Sequence, residues 1–247
     1  MRWFARTEQL LGQEGCARLA RSRVAIYGLG GVGSFACEAL ARAGVGYLRL
    51  VDHDVVNPTN LNRQLLGLHS TLGLPKVEVA AQRVRDINPG CEVDARRAFL
   101  NNDSVAALLL PEVDLIIDAI DSVNAKCALL QTAFEQGLPI ISSMGAGGRM
   151  DGGQVFAGDL FETRNCPLAT VIRQRLRRRG ISTGIHCIYS LETSQNTLPP
   201  NPIDVDAHTG PGRKRTPLGT ISYLPAIFGL RVAQEALRLL LAPDREA

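Results

Sequence analysis

The sequence lacks any long apolar run. No segment of its 247 residues approaches the roughly 20 apolar residues of a membrane span, and the start, MRWFARTEQLLGQEG, has no apolar core of signal-peptide length. With 45% hydrophobic and 21% charged residues, the chain has enough apolar side chains for the core of one moderate domain. We therefore expect a soluble cytoplasmic protein that does not enter a membrane.

The sequence also lacks a C-x-x-C pair. Its six cysteines are scattered through segments of regular hydrophobic periodicity, so neither a disulfide framework nor a zinc site is indicated. Reduced thiols are typical of a cytoplasmic protein. The formal net charge is only +3, which by itself does not indicate a nucleic-acid partner.

Short β-rich runs alternate with longer helical patterns up to about Met144. Three of the strand-like runs are almost entirely apolar, as expected for strands that helices cover on both faces. This alternation predicts an α/β fold with a doubly wound, mostly parallel Rossmann-like sheet. The predicted strands are RVAIYG, YLRLVD, EVDAR, VDLIIDAI and LPIISSM, and the predicted helices are GSFACEALARAG, KVEVAAQRVRDIN, DSVAALLL and NAKCALLQTAFEQG.

The pattern changes after this first part. Two more strand-like runs, QVFAGDL and IHCIYSLE, flank an Arg-rich amphipathic helix, and a final helix follows a stretch rich in Pro, Gly and charge. A loop of that length in a compact protein is usually functional or disordered. We expect a single domain over residues 1–247, with a core at 1–144 and a C-terminal strand and helix extension at 145–247 that contains the long loop 193–220.

The stretch IYGLGGVGS (26–34) raises the question of which nucleotide the chain binds. Gly28, Gly30 and Gly33 follow a predicted strand and precede a predicted helix, which is the setting of a dinucleotide-binding turn. Asp52 ends the next strand, where it would meet a ribose hydroxyl. NAD is therefore the first candidate.

Residues downstream favour ATP over NAD. The pyrophosphate of a dinucleotide is satisfied largely by backbone N–H groups at a helix N-terminus. A triphosphate that loses pyrophosphate also needs fixed positive charge on its β- and γ-phosphates and a carboxylate for magnesium. Arg63 and Lys76 supply the first, and Asp54 or Asp121 supplies the second.

Five ordered motifs resemble those of the adenylate-forming enzymes related to ubiquitin-activating enzymes and to the bacterial activators of sulfur-carrier proteins. The resemblance covers nearly the whole chain, and five motifs in order are far more specific than one glycine turn. The motifs are GLGGVGS (28–34), Asp52 with Asp54, NLNRQ (60–64), Lys76 in LGLPKVE, and Asp121 in DAIDSVNAK.

This resemblance implies a homodimer that uses ATP and Mg²⁺. The glycine loop and Asp52 would hold adenosine, Asp121 would coordinate magnesium, and Arg6 would reach across the dimer interface into the partner's site. From the residues alone, a helix cap at Asn60 and a surface ion pair at Arg6 stay open as alternatives. The implied catalytic set is Arg6, Arg63, Lys76 and Asp121, and the implied nucleotide-binding set is Gly28, Gly30, Gly31, Gly33, Asp52, Asp54, Asn60, Arg63, Gln64 and Lys76.

Within the family, the missing C-x-x-C pairs separate this chain from the activators of sulfur-carrier proteins, which commonly carry two. Three segments instead resemble the tRNA threonylcarbamoyladenosine dehydratases: SMGAGGRMD (143–151), PLATVIRQRLRRRGI (167–181) and LGTISYLPAIFGL (218–230). That resemblance implies ATP-dependent closure of the threonylcarbamoyl side chain of an adenosine next to the tRNA anticodon, through an acyl-adenylate. Cys166 and Gly152 depart from the residues usual in the family, which are aspartate and proline.

The run RQRLRRRG predicts a polyanionic partner. Leu168, Ile172 and Leu176 fall on one helical face, which leaves arginines on the other. Arginines in a last helical turn also suit the helix dipole, but five in seven residues exceed what capping needs. The predicted nucleic-acid contacts are Arg173, Arg175, Arg177, Arg178 and Arg179.

Three functions remain open at this stage. The favoured one is an ATP-dependent tRNA-modifying cyclase or dehydratase, and the sequence leaves open whether a sulfur-relay protein is a further partner. The second is an adenylyltransferase for a ubiquitin-like sulfur-carrier protein. The third, of a different class, is a non-catalytic, nucleotide-gated RNA-binding protein.

Overall fold

The computed structural model describes residues 4–109, 113–196, 198 and 218–242 and contains one seven-stranded sheet. The strands lie in the order β3-β2-β1-β4-β5-β7-β6, and each neighbouring pair is parallel except β6 with β7. The predicted doubly wound, mostly parallel sheet is thus confirmed. The strands are β1 Arg23–Tyr27, β2 Tyr47–Asp52, β3 Glu92–Arg97, β4 Leu115–Asp118, β5 Ile140–Ser143, β6 Val155–Asp159 and β7 His186–Ser190.

Helices cover both faces of the sheet. The pattern DSVAALLL forms only a four-residue helix, and the first helix was not among the predicted elements. Gly12 interrupts that first helix with a φ of +72°. The helices are α1 Ala5–Arg21, α2 Gly33–Ala43, α3 Lys76–Ile87, α4 Val105–Leu108, α5 Val123–Glu135, α6 Pro167–Arg177 and α7 Leu224–Leu240.

Side-chain alternation along the central strands builds two separate cores. Val24 and Ile26 of β1 face α2, α3 and α7, while Ala25 and Tyr27 face α4, α5 and α6. Because both faces are covered, all residues of β2 and β4 are buried. The near-continuous apolar runs of the sequence follow from this two-sided burial.

The strand order reverses between β1 and β4. In open α/β sheets, ligands bind beyond the carboxyl ends of the strands at such a switch point. We call the side where the parallel strands end the site edge and the side where they begin the opposite edge. The chain segments that follow β1, β2, β4 and β5 all emerge at the site edge.

Helix α1 lies at the opposite edge. The Gly46 N–H, just before β2, donates to the Leu19 carbonyl at 3.0 Å. At the other end of the helix, a Cβ on Gly44 would lie 3.6 Å from the Phe4 ring. Both glycines lie between the end of α2 and the start of β2, so α1 runs beside the amino ends of the strands.

The long loop 193–220 is described only at its two ends. There it is tied to the segment after β5, since the Gln195 N–H donates to the Gly148 carbonyl at 2.9 Å and the Gly148 N–H to the Gly219 carbonyl at 2.7 Å. Residues 197 and 199–217 lie outside the described part of the chain. Among the described helices, none has the length and apolar character needed to cross a membrane.

Candidate functional site

The glycine loop between β1 and α2 is closed so tightly that side chains do not fit at Gly28 or Gly33. Gly28 has a φ of +89°, and a Cβ there would lie 2.8 Å from the Ala119 carbonyl oxygen beyond β4. A Cβ on Gly33 would lie 1.8 Å from the Gly28 carbonyl oxygen. The loop therefore presents bare backbone at the N-terminus of α2, the arrangement that binds phosphate groups.

Asp52 fixes this loop from the end of β2. Its Oδ2 accepts the Leu29 N–H at 2.6 Å and its Oδ1 accepts the Asp54 N–H at 2.8 Å, and the side chain is buried. Charge-assisted bonds of this kind hold a backbone firmly. Each carboxylate oxygen keeps a second lone pair for a ligand hydroxyl.

Lys76 places a buried positive charge beside the loop. Its Nζ donates to Asp54 Oδ2 at 2.9 Å, and its side chain is only 5% exposed. The residue is also the first of α3, so the ammonium group and the positive end of a helix coincide. On its other oxygen, Asp54 lies 3.1 Å from His53 Nε2. A fixed ammonium group at a helix N-terminus suits the β- and γ-phosphates of a triphosphate.

Asp52, His53 and Asp54 also form a cluster of metal-ligand atoms within 4.8 Å of one another. Both carboxylates already accept hydrogen bonds, from backbone N–H groups and from Lys76. Those bonds account for the cluster without a metal ion. The structure therefore does not favour Asp54 over Asp121 as a magnesium ligand.

The NLNRQ segment packs against the glycine loop. A Cβ on Gly31 would lie 3.3 Å from the Arg63 carbonyl oxygen. The sequence left open whether Asn60 is a helix cap. Its Oδ1 accepts the Asn57 N–H at 3.1 Å at the start of a short 3-10 helix, which is a capping interaction. The Arg63 guanidinium donates to the Thr59 carbonyl and to Asn62 Oδ1, both at 2.8 Å.

Gln64 carries an unsatisfied acceptor into this site. Its Oε1 is buried and has no hydrogen-bond partner among the described residues, while its Nε2 lies 3.9 Å from where a Gly30 Cβ would be. A buried polar atom without a partner is costly unless a ligand or water satisfies it. The bare loop, the buried ammonium group and this acceptor together fit a bound nucleotide.

Asp121 lies in the turn between β4 and α5. Its side chain is exposed, and the neighbouring residue Ala119 contacts Gly28. The predicted magnesium ligand is therefore on the same edge of the sheet as the glycine loop, Asp52, Asp54, Arg63, Gln64 and Lys76.

A buried network beneath this turn was missed at the sequence level. Lys126 Nζ donates to Asp118 Oδ2 at 2.6 Å, to Ser142 Oγ at 3.2 Å and to the Ser143 carbonyl at 3.0 Å, and both ionic side chains are fully buried. Ser142 Oγ donates to the same carboxylate oxygen at 2.6 Å. All three ammonium protons are thus used, and the ends of β4 and β5 are joined. The sequence feature that could have revealed this network is Lys126 itself, a charged residue on the buried face of α5.

The segment after β5 is held by Arg149, a second buried charge missed at the sequence level. Its guanidinium donates to the carbonyls of Gly145, Asn165 and Glu192, the last two at 2.8 Å. The Glu192 carboxylate in turn accepts the Asp151 N–H at 2.8 Å. This bracing fixes residues 145–151 at the site edge, directly after β5.

The cysteines do not supply a nucleophile. Cys187 is buried in β7, and burial raises the pKa of its thiol far above the ordinary range. Cys166 is also buried, and its sulfur accepts the Ala169 N–H at the start of α6. Neither of these two thiols is therefore available as a nucleophile.

Most of the arginine run points away from the glycine loop, but Arg175 reaches Asn124 in the first turn of α5 at the site edge. Helix α6 begins beside Gly145 at the site edge and runs for 11 residues, about 16 Å, toward the opposite edge. Three of the five predicted contacts already have partners within the chain: Arg173 donates to Thr163, Arg175 to Asn124 and Arg179 to Gln131. Arg177 and Arg178 are exposed, and the Arg177 Cζ lies 5.5 Å from the centre of the Phe161 ring.

Arg6 is likewise separated from the glycine loop of its own chain. It lies in the first turn of α1, next to Phe4, and it is exposed. Because α1 occupies the opposite edge of the sheet, the structure does not bring Arg6 together with the other predicted site residues.

Comparison with known proteins is consistent with this geometry. The sequence pattern of the ThiF family matches residues 4–247. The chain is 44% identical over 190 residues to the tRNA threonylcarbamoyladenosine dehydratase of Bacillus subtilis (strain 168), a match that covers 77% of this chain and 75% of that protein. It is 35% identical over 250 residues to the Escherichia coli (strain K12) protein of the same name, covering 97% and 93% of the two chains.

A solved structure of the Escherichia coli protein in complex with ATP has the same fold. The TM-score is 0.86 at 34% identity, and the match covers 97% of this chain and 94% of that one. A structure of that protein in complex with AMP matches equally well. The chain therefore belongs to the ThiF family, in its group of tRNA threonylcarbamoyladenosine dehydratases.

Proposed function

We propose that this protein uses ATP to activate the carboxylate of threonylcarbamoyladenosine in tRNA and to close that side chain into a ring. The observation that carries the proposal is the buried Lys76 ammonium group, held by Asp54 next to a glycine loop that Asp52 fixes. A preorganised positive charge of this kind stabilises a departing pyrophosphate.

The reaction needs no protein nucleophile. A carboxylate oxygen of the substrate attacks the α-phosphorus of ATP, and pyrophosphate leaves. A nitrogen of the same side chain then attacks the acyl carbon, and AMP leaves with that carboxylate oxygen. Because both reacting groups belong to one substrate molecule, the protein has only to position them and exclude water.

Different residues at the site edge bind different parts of ATP. The backbone of the glycine loop approaches the phosphates, and Asp52 accepts from the ribose. Lys76, Arg63 and the N-terminus of α3 hold the β- and γ-phosphates. The buried Gln64 Oε1, which has no hydrogen-bond partner among the described residues, accepts a hydrogen bond from the bound nucleotide.

Asp121 is our proposed ligand for Mg²⁺. Magnesium prefers carboxylate oxygens and usually binds one or two of them together with substrate phosphates. The Asp121 side chain is exposed in the turn beside the glycine loop, on the edge where the phosphates would lie. When bound, the ion would neutralise the charge of the leaving pyrophosphate.

The active unit we propose is a cytoplasmic homodimer. Arg6 lies at the opposite edge from the site of its own chain, so it would serve a site only in a second copy. The exposed residues Arg177 and Arg178 would contact tRNA phosphates distant from the reacting side chain. A sulfur-relay partner has little support, because five of the six cysteines are buried and Cys16 is half-buried.

The second candidate is an adenylyltransferase for a ubiquitin-like sulfur carrier. It would use the same nucleotide site, but the absence of C-x-x-C pairs in the sequence weighs against it. The third candidate, a nucleotide-gated RNA-binding protein, would not turn ATP over.

Mass spectrometry of tRNA nucleosides tests the proposal. After incubation of threonylcarbamoyladenosine-containing tRNA with ATP and the protein, the modified nucleoside should lose the mass of one water, and AMP should form in equal amount. Glu78→Ala, an exposed position in the first turn of α3, is the matched control for Lys76→Ala. An unchanged nucleoside with the wild-type protein would contradict the proposed function.

A further inference from the structure

Two aromatic rings lie side by side on the last two strands of the sheet, β7 and β6. Phe156 of β6 is directly opposite Tyr189 of β7, and their ring centres are 6.4 Å apart at an angle of 40°. Phe156 is 39% exposed, and Tyr189 is half-buried. Gly158 packs against Tyr189, since a Cβ there would make an ordinary van der Waals contact with the ring at 3.5 Å. The two rings therefore form an apolar surface at the β6 end of the sheet.

This pair lies near the proposed reaction site. Tyr189 is the penultimate residue of β7, which runs parallel to β5, so the ring lies close to the site edge. Strand β7 is three strand positions from β1, which the glycine loop follows, a lateral distance of about 14 Å, and β6 is one position further. A single-stranded loop that placed one nucleotide beside the glycine loop would bring a nucleotide further along the same strand to this surface.

Charges of both signs lie around the pair, since Glu192 follows β7 and its carboxylate accepts the Asp151 N–H, while the arginines nearby could contact a nucleic acid. Arg164 is exposed, and the next residue, Asn165, donates through Nδ2 to the Leu191 carbonyl at 2.7 Å, just beyond the end of β7. Both rings and α6 are on the same face of the sheet, since Tyr189 and Ala169 belong to one core cluster. The exposed residues Arg177 and Arg178 continue that face toward the opposite edge.

We propose that Phe156 and Tyr189 form a stacking surface for an unpaired tRNA base that flanks the modified adenosine. Sequence-specific RNA recognition takes place mainly on single-stranded loops, whose splayed bases stack on aromatic side chains, and any base provides a suitable face. The inference rests on the proposed function, because that function brings an anticodon loop to the site edge. It assigns to β6 and β7 together the role of holding the anticodon loop open.

Binding of an anticodon stem-loop tests this inference. We expect Phe156→Leu and Tyr189→Leu each to weaken binding about five- to a hundredfold, the range that loss of one stacked base produces. Phe156→Trp keeps an aromatic face and should bind like the wild type. Phe134→Leu is the matched control, because Phe134 is 42% exposed and lies beside Gly184 at the opposite edge. The melting temperature and the affinity for ATP should stay unchanged in all four variants.

A fluorescent base gives a direct readout of stacking. A stem-loop with 2-aminopurine next to the modified position should lose fluorescence on binding to the wild type and to Phe134→Leu, but much less on binding to Phe156→Leu. Wild-type affinity and quenching in both leucine variants would overturn the inference. So would a change in oligomeric state without a change in RNA affinity, which would make the pair an interface between copies.

The two proposals fail in different ways. If the wild-type protein dehydrates the nucleoside while both leucine variants bind RNA normally, the stacking surface is wrong and the proposed function stands. If the wild-type protein leaves the nucleoside unchanged, the proposed function itself is wrong.

Discussion

Lys76 and Asp54 are joined twice, once through their side chains and once through their backbones. The Nζ···Oδ2 distance is 2.9 Å, and the Lys76 N–H donates to the Asp54 carbonyl at 3.0 Å. The double link fixes the start of α3 to the turn after β2. The ammonium group is therefore held in place before any ligand binds, which is the condition for electrostatic stabilisation without reorganisation.

Replacing Lys76 should cost turnover more than ATP affinity. If its charge acts mainly on the departing pyrophosphate, Lys76→Ala should slow adenylation about a hundred- to a thousandfold, as for one removed oxyanion-hole donor. Lys76→Arg should not fully restore the rate, because a planar guanidinium does not reproduce a compact point charge. Single-turnover kinetics on modified tRNA measure this. Rates like those of the wild type in Lys76→Ala would remove the residue from the catalytic set.

Two glycines of the loop should respond differently to alanine. Gly33→Ala would place Cβ 1.8 Å from the Gly28 carbonyl oxygen, so the loop must open and both the melting temperature and ATP binding should fall. At Gly30 the nearest atom would be 3.9 Å away, so Gly30→Ala should keep the melting temperature. It should still weaken ATP binding, since the loop glycines let backbone approach the phosphates. Calorimetry and thermal melting separate these effects, and equal ATP affinity in Gly30→Ala and the wild type would contradict the placement of the phosphates.

The sequence predicts the part of the site that depends on local pattern. A glycine loop between a strand and a helix, and Asp52 at the end of the next strand, meet because the carboxyl ends of parallel strands share one edge. The Lys126 network and the Arg149 brace could not be predicted in this way, because their partners are backbone carbonyls and side chains from separate strands and loops. The role of the arginine run could be predicted only in part. Its composition indicates a polyanion, but only the structure shows that Arg173 is used to hold Thr163.

Mixing two inactive variants should restore activity if Arg6 serves the partner's site. In a mixed dimer of Arg6→Ala with Lys76→Ala, one of the two sites has both residues intact. Random exchange of subunits should then give about a quarter of the wild-type activity, since half of the dimers are mixed. Each variant alone should be nearly inactive. No recovery after verified exchange would place Arg6 in its own chain's site or outside any site.

The exposed arginines of α6 should affect RNA binding, and the bonded ones should affect stability. Arg177→Ala with Arg178→Ala should weaken tRNA binding and reduce the log–log salt slope by about one for each phosphate that is no longer neutralised. Arg173→Ala should instead lower the stability by about 1.5–3 kcal/mol, because it removes the hydrogen bonds to Thr163. Filter binding at several salt concentrations and chemical unfolding provide the two readouts. An unchanged salt slope in the double variant would show that this helix does not bind the RNA.

Exchange of labelled pyrophosphate into ATP tests the central claim most directly, because it reports formation of the adenylate and nothing later. The account predicts that exchange requires tRNA carrying threonylcarbamoyladenosine and is lost with unmodified tRNA or in Lys76→Ala. Exchange that depends on a ubiquitin-like carrier protein, or no exchange with either partner, would contradict it.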